Sequence, residues 1–265
     1  GADLENLVNE AAITAVKEEA KKVSYRHFQI ARDKIMMGRK RSSLILSEDE
    51  KERIAFHEGG HAIVATLQDE TDPVEKVTII PRGRSLGATQ QLPDDERHNY
   101  SQAYLEQKIA VMMGGRAAEK LIFDEITTGA ENDLVQATKI ARKMVSNWGM
   151  SEKVGTIAFR QDNQTTPQEK MLQGEQYSQH LAELIDEETQ AILDRCFDMA
   201  YDLLDSNRDI LKNLADALLE VEVIQGDDLQ KILQGEKVDL ESDKNGNARP
   251  EGSEASENSP EEAKE

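Results

Sequence analysis

The chain has 265 residues and a formal net charge of -20, with 32% charged and 4% aromatic residues. That excess of negative charge repels a phosphate backbone, which argues against nucleic acid as a partner, and the composition suits amphipathic helices better than a β-sandwich. The single cysteine, Cys196, excludes an internal disulfide and reads as a small buried hydrophobe. From Asp3 to Val23 the positions Leu4, Leu7, Val8, Ala11 and Ala15 keep helical spacing, with Asp3 as N-cap. Ser24 caps a second helix, YRHFQIARDKIMMG, that ends at Gly38, and RKRSS follows as an exposed basic connector. Ser47 and Glu50 form a capping box ahead of a third helix whose core stripe is Phe56, Gly60, Ile63, Val64 and Leu67. KVTIIPRGRSLGATQQLP reads as two short strands, residues 76–81 and 86–92, in a β-ribbon.

Helical patterns resume over residues 101–123 and 131–148, and after a polar loop over about 169–204, 208–220 and 226–235. The acidic stretch 236–265 has almost no large apolar residues and is expected to be disordered. The fold class expected is therefore mainly α, a helical array with a small two-stranded β-ribbon. No apolar run reaches the roughly 18 residues of a membrane span, and GADLENLVNE has no signal-peptide pattern. A soluble chain is therefore expected, and its opening without methionine in what reads as a helix start points to a fragment.

The chemistry is concentrated in HEGGH, residues 57–61. A helix turns about 100° per residue, so His57 and His61 lie about 40° apart on one face and can reach one metal ion. Zinc suits two imidazoles, one further protein ligand and an open position, and Glu58, about 60° round from His61, is placed to act as a base rather than a ligand. Chance produces such a pentapeptide on the order of once in a hundred chains of this kind. Against chance stands the pair Gly59 and Gly60, which costs about 2 kcal/mol of helix propensity in mid-helix and implies close approach of another group. The third ligand is open among His98, Glu119, Asp124, Glu125, Glu131 and Asp133. Glu119 interrupts an apolar helix but has Arg116 one turn before it, and Asp133 in a first helical turn has a dipole-favoured reading; the residues alone divide these two evenly.

RIAFHEGGHAIVA, DPVEKVTIIPRG, LGATQQLPDDER, GGRAAEKLIF, ITTGAENDLVQATKIARKMVSNWGMSEKVG and GADLENLVNEAAITA with DKIMMG together resemble the C-terminal half of the FtsH family of membrane-anchored, ATP-dependent zinc metalloproteases. The resemblance runs from residue 1 to about residue 235. It implies His57, His61 and Asp133 as zinc ligands, Glu58 as general base and Glu119 as a residue that orients a ligand. It also implies that residues 1–38 end the helical lid of an AAA ATPase module, with Gly1 and Ala2 near nucleotide in the parent protein, that 39–46 link, and that 47–235 form the metallopeptidase domain. Two departures stand out. Gly59 replaces the family's usual alanine, and no G-x-x-x-x-G-K-[ST] loop occurs, so this chain alone is not expected to hydrolyse ATP.

The function expected is a zinc endopeptidase acting on polypeptides threaded to it by an ATP-driven, magnesium-dependent ring. That ring is a homo-oligomer, a hexamer by resemblance, held to an inner membrane through segments absent from this chain, with this domain on the cytoplasmic or equivalent face. Val77, Thr78, Ile79 and Ile80 are the candidate edge for an extended substrate. The alternative is a non-catalytic oligomerisation module clipped by zinc, which would need a fourth protein ligand and no Glu58.

Overall fold

A computed structural model describes residues 1–41, 44–83, 85–92, 99–158, 178–236 and 238. The start of the helix expected from residue 169, and almost all of the acidic tail expected to be disordered, lie outside these residues. The chain divides into two units, one holding residues 1–36 and the other residues 37–241. In the first, α1 (Ala2–Lys17) stops short of Val23. Glu19 takes a left-handed conformation, φ 54°, and the Ala20 N–H turns back to the Ala15 carbonyl at 2.9 Å. At the start of α2 (Tyr25–Met37) the buried His27 ring accepts the Ser24 N–H at Nδ1, 2.9 Å, closing the helix start from the side chain expected least to do it.

In the second unit, α3 (Glu48–Thr66) begins with the expected capping box: Ser47 Oγ accepts the Glu50 N–H, and the Glu50 carboxylate accepts the Ser47 N–H. Its burial differs from the single stripe read in the sequence. From Ile54 to Ala65 every residue but His57 is buried, while Leu67 is 38% exposed. The helix is central rather than superficial, packed by α4 (Gln102–Phe123), α6 (Gln179–Ser206), α7 (Arg208–Val221) and a sheet. α5 (Glu131–Ser146) lies against α4 and α6, and a final α8 (Gly226–Leu233) against α7 and the sheet.

The ribbon expected from two strands is a three-stranded antiparallel sheet in the order β2-β1-β3. The strands β1 (Val74–Thr78) and β2 (Ala88–Gln91) come from the expected region, and β3 (Val223–Gln225) arrives after α7 ends at a left-handed Glu222. Three residues are too few to leave a period-2 signal in the sequence. The addition overturns the assignment of Val77, Thr78, Ile79 and Ile80 as a substrate edge. Val77 faces Thr89 on one side and Ile224 on the other, Thr78 faces Ala88 and Val223, and the Ile79 N–H is taken by the Glu222 carbonyl at 3.0 Å. The Ile80 N–H donates to Thr78 Oγ at 3.1 Å. An interior strand has no unpaired row of backbone groups for a peptide to join. The connector expected at 39–46 is likewise less free than its basic composition suggests: the Arg41 N–H donates to the Pro81 carbonyl at 2.9 Å, and the Gly83 N–H to the Arg39 carbonyl at 3.2 Å.

The close approach implied by Gly59 and Gly60 is a helix crossing. A Cβ on Gly60 would stand 2.4 Å from the Gly114 carbonyl oxygen, and one on Gly114 would stand 2.7 Å from the Gly60 oxygen. Backbone meets backbone there and neither can yield. A Cβ on Gly59 meets side chains rather than backbone, the tip of Leu211 at 3.2 Å and Leu214 at 3.7 Å. We predict that Gly60→Ala lowers unfolding stability by about 2 kcal/mol or more through overpacking. Gly59→Ala should change it by less than about 1 kcal/mol, because gained helix propensity offsets the crowding. Chemical denaturation of both variants checks this, and equal losses at the two sites would contradict it.

Candidate metal centre

His57 and His61 leave α3 on one face, and their Nε2 atoms stand 3.1 Å apart. Asp133, in the first turn of α5, brings Oδ2 to 3.5 Å from each Nε2. The 3-10 turn Thr128–Ala130 aims that turn, and Ala130 at the helix start supplies no side-chain cap. Ligands about 2.1 Å from a tetrahedral ion sit about 3.4 Å from one another, so the three atoms have the spacing of three corners around one cation. Among the described residues this is the group of histidine, cysteine and acidic side chains that could hold a metal ion.

The far side of each ring fixes which nitrogen faces that point. The Nδ1–H of His57 donates to Glu119 Oε1 at 2.7 Å, and the Nδ1–H of His61 donates to the Val111 carbonyl at 2.7 Å. With both Nδ1 atoms acting as donors, neutral rings turn lone pairs from Nε2 toward the Asp133 carboxylate. Three acceptors then converge with no donor between them, which is the chemistry of a cation site. Glu119 is held in turn by the Thr127 N–H, 2.8 Å from Oε2.

Without a cation the same group stores charge. Burial disfavours a charged His57, but the Asp133 and Glu119 carboxylates outweigh it and raise the ring to about 10. Burial also opposes ionisation of Asp133, and the two imidazoles overcome it, holding the carboxyl well below its usual range. Glu119 is lowered as well, against its burial, by His57 and the Thr127 N–H. Glu58 is the exception. Its side chain is buried beside the pair, and desolvation raises it despite both imidazoles and a hydrogen bond from Thr89 Oγ to Oε2 at 2.9 Å.

The other candidates for a third ligand stand elsewhere. Asp124 ends α4 in a left-handed conformation and pairs with Lys120, Glu125 pairs with Arg53 at 2.7 Å, and Glu131 is exposed; His98 lies outside the described residues. Gly1 and Ala2 are exposed at the start of α1. The sequence reading passed over four residues that shape the site. A Cβ on Gly115 would fall 2.4 Å from His57 Nε2, and one on Gly87 would fall 2.7 Å from Glu58 Oε1; Val111 acts through its carbonyl and Thr89 through its hydroxyl. Only the Gly114–Gly115 pair left a signal, the same mid-helix propensity cost seen at Gly59–Gly60.

Comparison with known proteins agrees with this geometry. The sequence model described as peptidase family M41 matches residues 44–232. ATP-dependent zinc metalloprotease FtsH from Syntrophotalea carbinolica is 46% identical over 244 residues, covering 92% of this chain and 38% of that protein. The proteins of that name from Acidimicrobium ferrooxidans and Pelobacter propionicus are 47% and 48% identical over 233 and 234 residues, covering 88% of this chain and 35% and 37% of theirs. The chain thus spans little more than a third of the length of these curated relatives.

Two measurements test the centre. A His57 raised to about 10 is protonated throughout the neutral range, and its ion pairs are lost only as pH rises through that value. Loading zinc into the metal-free chain at about pH 8 should therefore release about one proton per ion, where an unperturbed imidazole near 6.5 would release almost none. Calorimetry in buffers of different ionisation enthalpy reads this directly. Asp133→Ala should cost zinc affinity more than Glu119→Ala, for which a loss of about 10- to 100-fold is expected; the reverse order would make Glu119 the ligand.

Proposed function

We propose that this chain, which belongs to peptidase family M41, is the zinc-dependent endopeptidase portion of a longer ATP-dependent protease, with His57, His61 and Asp133 as the zinc ligands. The observation that carries the reading is the convergence of His57 Nε2, His61 Nε2 and Asp133 Oδ2. Zinc bound there supplies Lewis acidity, which acidifies water to near neutral pKa and polarises a carbonyl. Glu58 is the general base. Its carboxylate takes a proton from the attacking water as the new C–O bond forms, then gives it to the amide nitrogen as the C–N bond breaks. A buried carboxyl raised above its ordinary value is suited to both transfers. Glu119 orients His57 and Val111 orients His61, so that each ring keeps its Nε2 toward the metal point. Three protein ligands with a carboxylate beside them suit a catalytic centre, whereas a zinc clip would call for a fourth ligand.

Substrate pairs in extended form along β2 rather than β1. Among the described residues no strand pairs with the outer side of Ala88–Gln91, and Thr89 in that strand touches Glu58, so a peptide added there runs past the base. Backbone pairing of this kind tolerates many sequences. Residues 47–235 make up the peptidase domain, supported by the family match over 44–232. Residues 1–38 are the end of an ATPase lid, with Gly1 and Ala2 near nucleotide. In the whole protein, ATP with magnesium drives a homo-oligomeric ring, a hexamer, that threads polypeptides to the zinc. Among the described residues no helix is long and apolar enough to cross a membrane; membrane attachment belongs to other segments of the parent, with this domain on the cytoplasmic or equivalent face.

Glu58→Gln should abolish cleavage of a flexible peptide while zinc stays bound at full stoichiometry. Loss of zinc in that variant would make Glu58 a ligand. The chain carries no phosphate-binding loop, and pulling apart a folded substrate must overcome about 5 to 15 kcal/mol. Cleavage of an unfolded protein should therefore be indifferent to ATP and stop on chelation, and a stably folded protein should survive. ATP-stimulated digestion of the folded substrate by the pure chain would contradict this division of labour.

A further inference from the structure

We propose that Thr89 is a positioning residue for the general base, holding the Glu58 carboxylate in its working rotamer through proton uptake and release. The proposal rests on the reading of Glu58 as that base. Thr89 Oγ lies 2.9 Å from Glu58 Oε2 and also 2.9 Å from the Glu58 main-chain carbonyl. The two acceptors are the tip and the backbone of a single residue, so one hydroxyl fixes the side chain relative to its own helix. Gly87 leaves room for that rotamer: a Cβ there would fall 2.7 Å from Glu58 Cγ and 2.9 Å from Ile54 Cγ2. The hydroxyl itself is held by the sheet, because Thr89 sits opposite Val77 in the β1–β2 ladder.

The choice of residue type matters. A base must be held equally well before and after it gains a proton. A hydroxyl donates to a carboxylate and accepts from a carboxylic acid, reversing its role without moving. An N–H donor can only donate and cannot accept from the protonated carboxyl, and an alkyl group holds neither form. Thr89 acts through Glu58 and touches neither the water nor the substrate in this scheme.

The test uses the zinc-loaded 265-residue chain with a flexible fluorogenic peptide, comparing Thr89→Val, Thr89→Ser and Glu58→Gln. Valine keeps the shape and the strand preference but has no hydroxyl. We expect kcat to fall about 10- to 100-fold, the loss of a hydrogen bond to a charged group, with KM, zinc stoichiometry and melting temperature unchanged. Serine should restore kcat to within about 3-fold of the parent. Unchanged kcat in Thr89→Val, a change confined to KM, or an equal loss in valine and serine variants would each overturn the proposal. Surviving cleavage in Glu58→Gln would instead remove the reading of Glu58 on which it rests. A readout that needs no turnover is the carbon-13 carboxyl signal of Glu58, assigned by its absence from Glu58→Gln. It should shift in Thr89→Val and return in Thr89→Ser, and a signal unmoved by valine sinks the proposal whatever the rates.

Discussion

The contact between the backbones of α3 and α4 at Gly60 and Gly114 is the constraint on which the site depends. With a side chain at either position the helices would stand further apart, since each Cβ would sit inside the other's carbonyl. At the distance the glycines allow, α4 presents Val111, Gly115 and Glu119 along one face, four residues apart, to the pair His57 and His61, also four apart. The helices run antiparallel here: His61 meets Val111 and His57 meets Gly115 and Glu119. One crossing thereby orients both imidazoles. It also explains why a helix end is not needed to free a carbonyl for His61, since the Val111 oxygen has a second lone pair to offer beside its helical bond.

The sheet does for Glu58 what α4 does for the histidines. Glu58 lies beside the histidines on α3, under β2, where Gly87 leaves room for it and Thr89 binds it. The arrival of β3 on the other side of β1 makes β1 an interior strand and, among the described residues, leaves β2 and β3 as the two edges. Of these, β2 is the one that touches Glu58. The two histidines and Glu58 are thus held by separate elements, α4 and β2, packed against one helix.

Electrostatics separates the roles further. His57 and Asp133 are neighbours in a partly closed space, and their mutual attraction favours the ionised form of each when no cation is present. A cation bound at that point would have to displace the His57 proton, which would make metal loading and proton release one equilibrium. Glu58, adjacent in sequence but turned to the apolar flank, is moved in the opposite direction because desolvation dominates there. Two carboxylates on the same site are thus driven apart in proton affinity by environment alone.

What the sequence by itself determined is what a few adjacent residues can encode. The spacing of His57, Glu58 and His61 follows from helix pitch, the start of α3 from Ser47 and Glu50, and the helical class of the second unit from the periodicity of residues 101–123, 131–148 and 208–220. It also indicated, through two costly glycines, that something packs hard against the zinc-site helix. The tertiary structure decided which acid meets the histidine pair at Nε2 and which meets His57 at Nδ1. Glu119 and Asp133 are equally acidic and equally helical, and only the crossing of α3 with α4 and the aim of α5 turn one toward Nδ1 and the other toward both Nε2 atoms. It decided as well that a strand at residues 223–225 would take the edge of β1, and that Thr89 and Gly87 would lie over Glu58. Local periodicity and capping act over one or two turns of chain, whereas these contacts join residues tens to more than a hundred positions apart, and their placement is fixed by how packed elements meet.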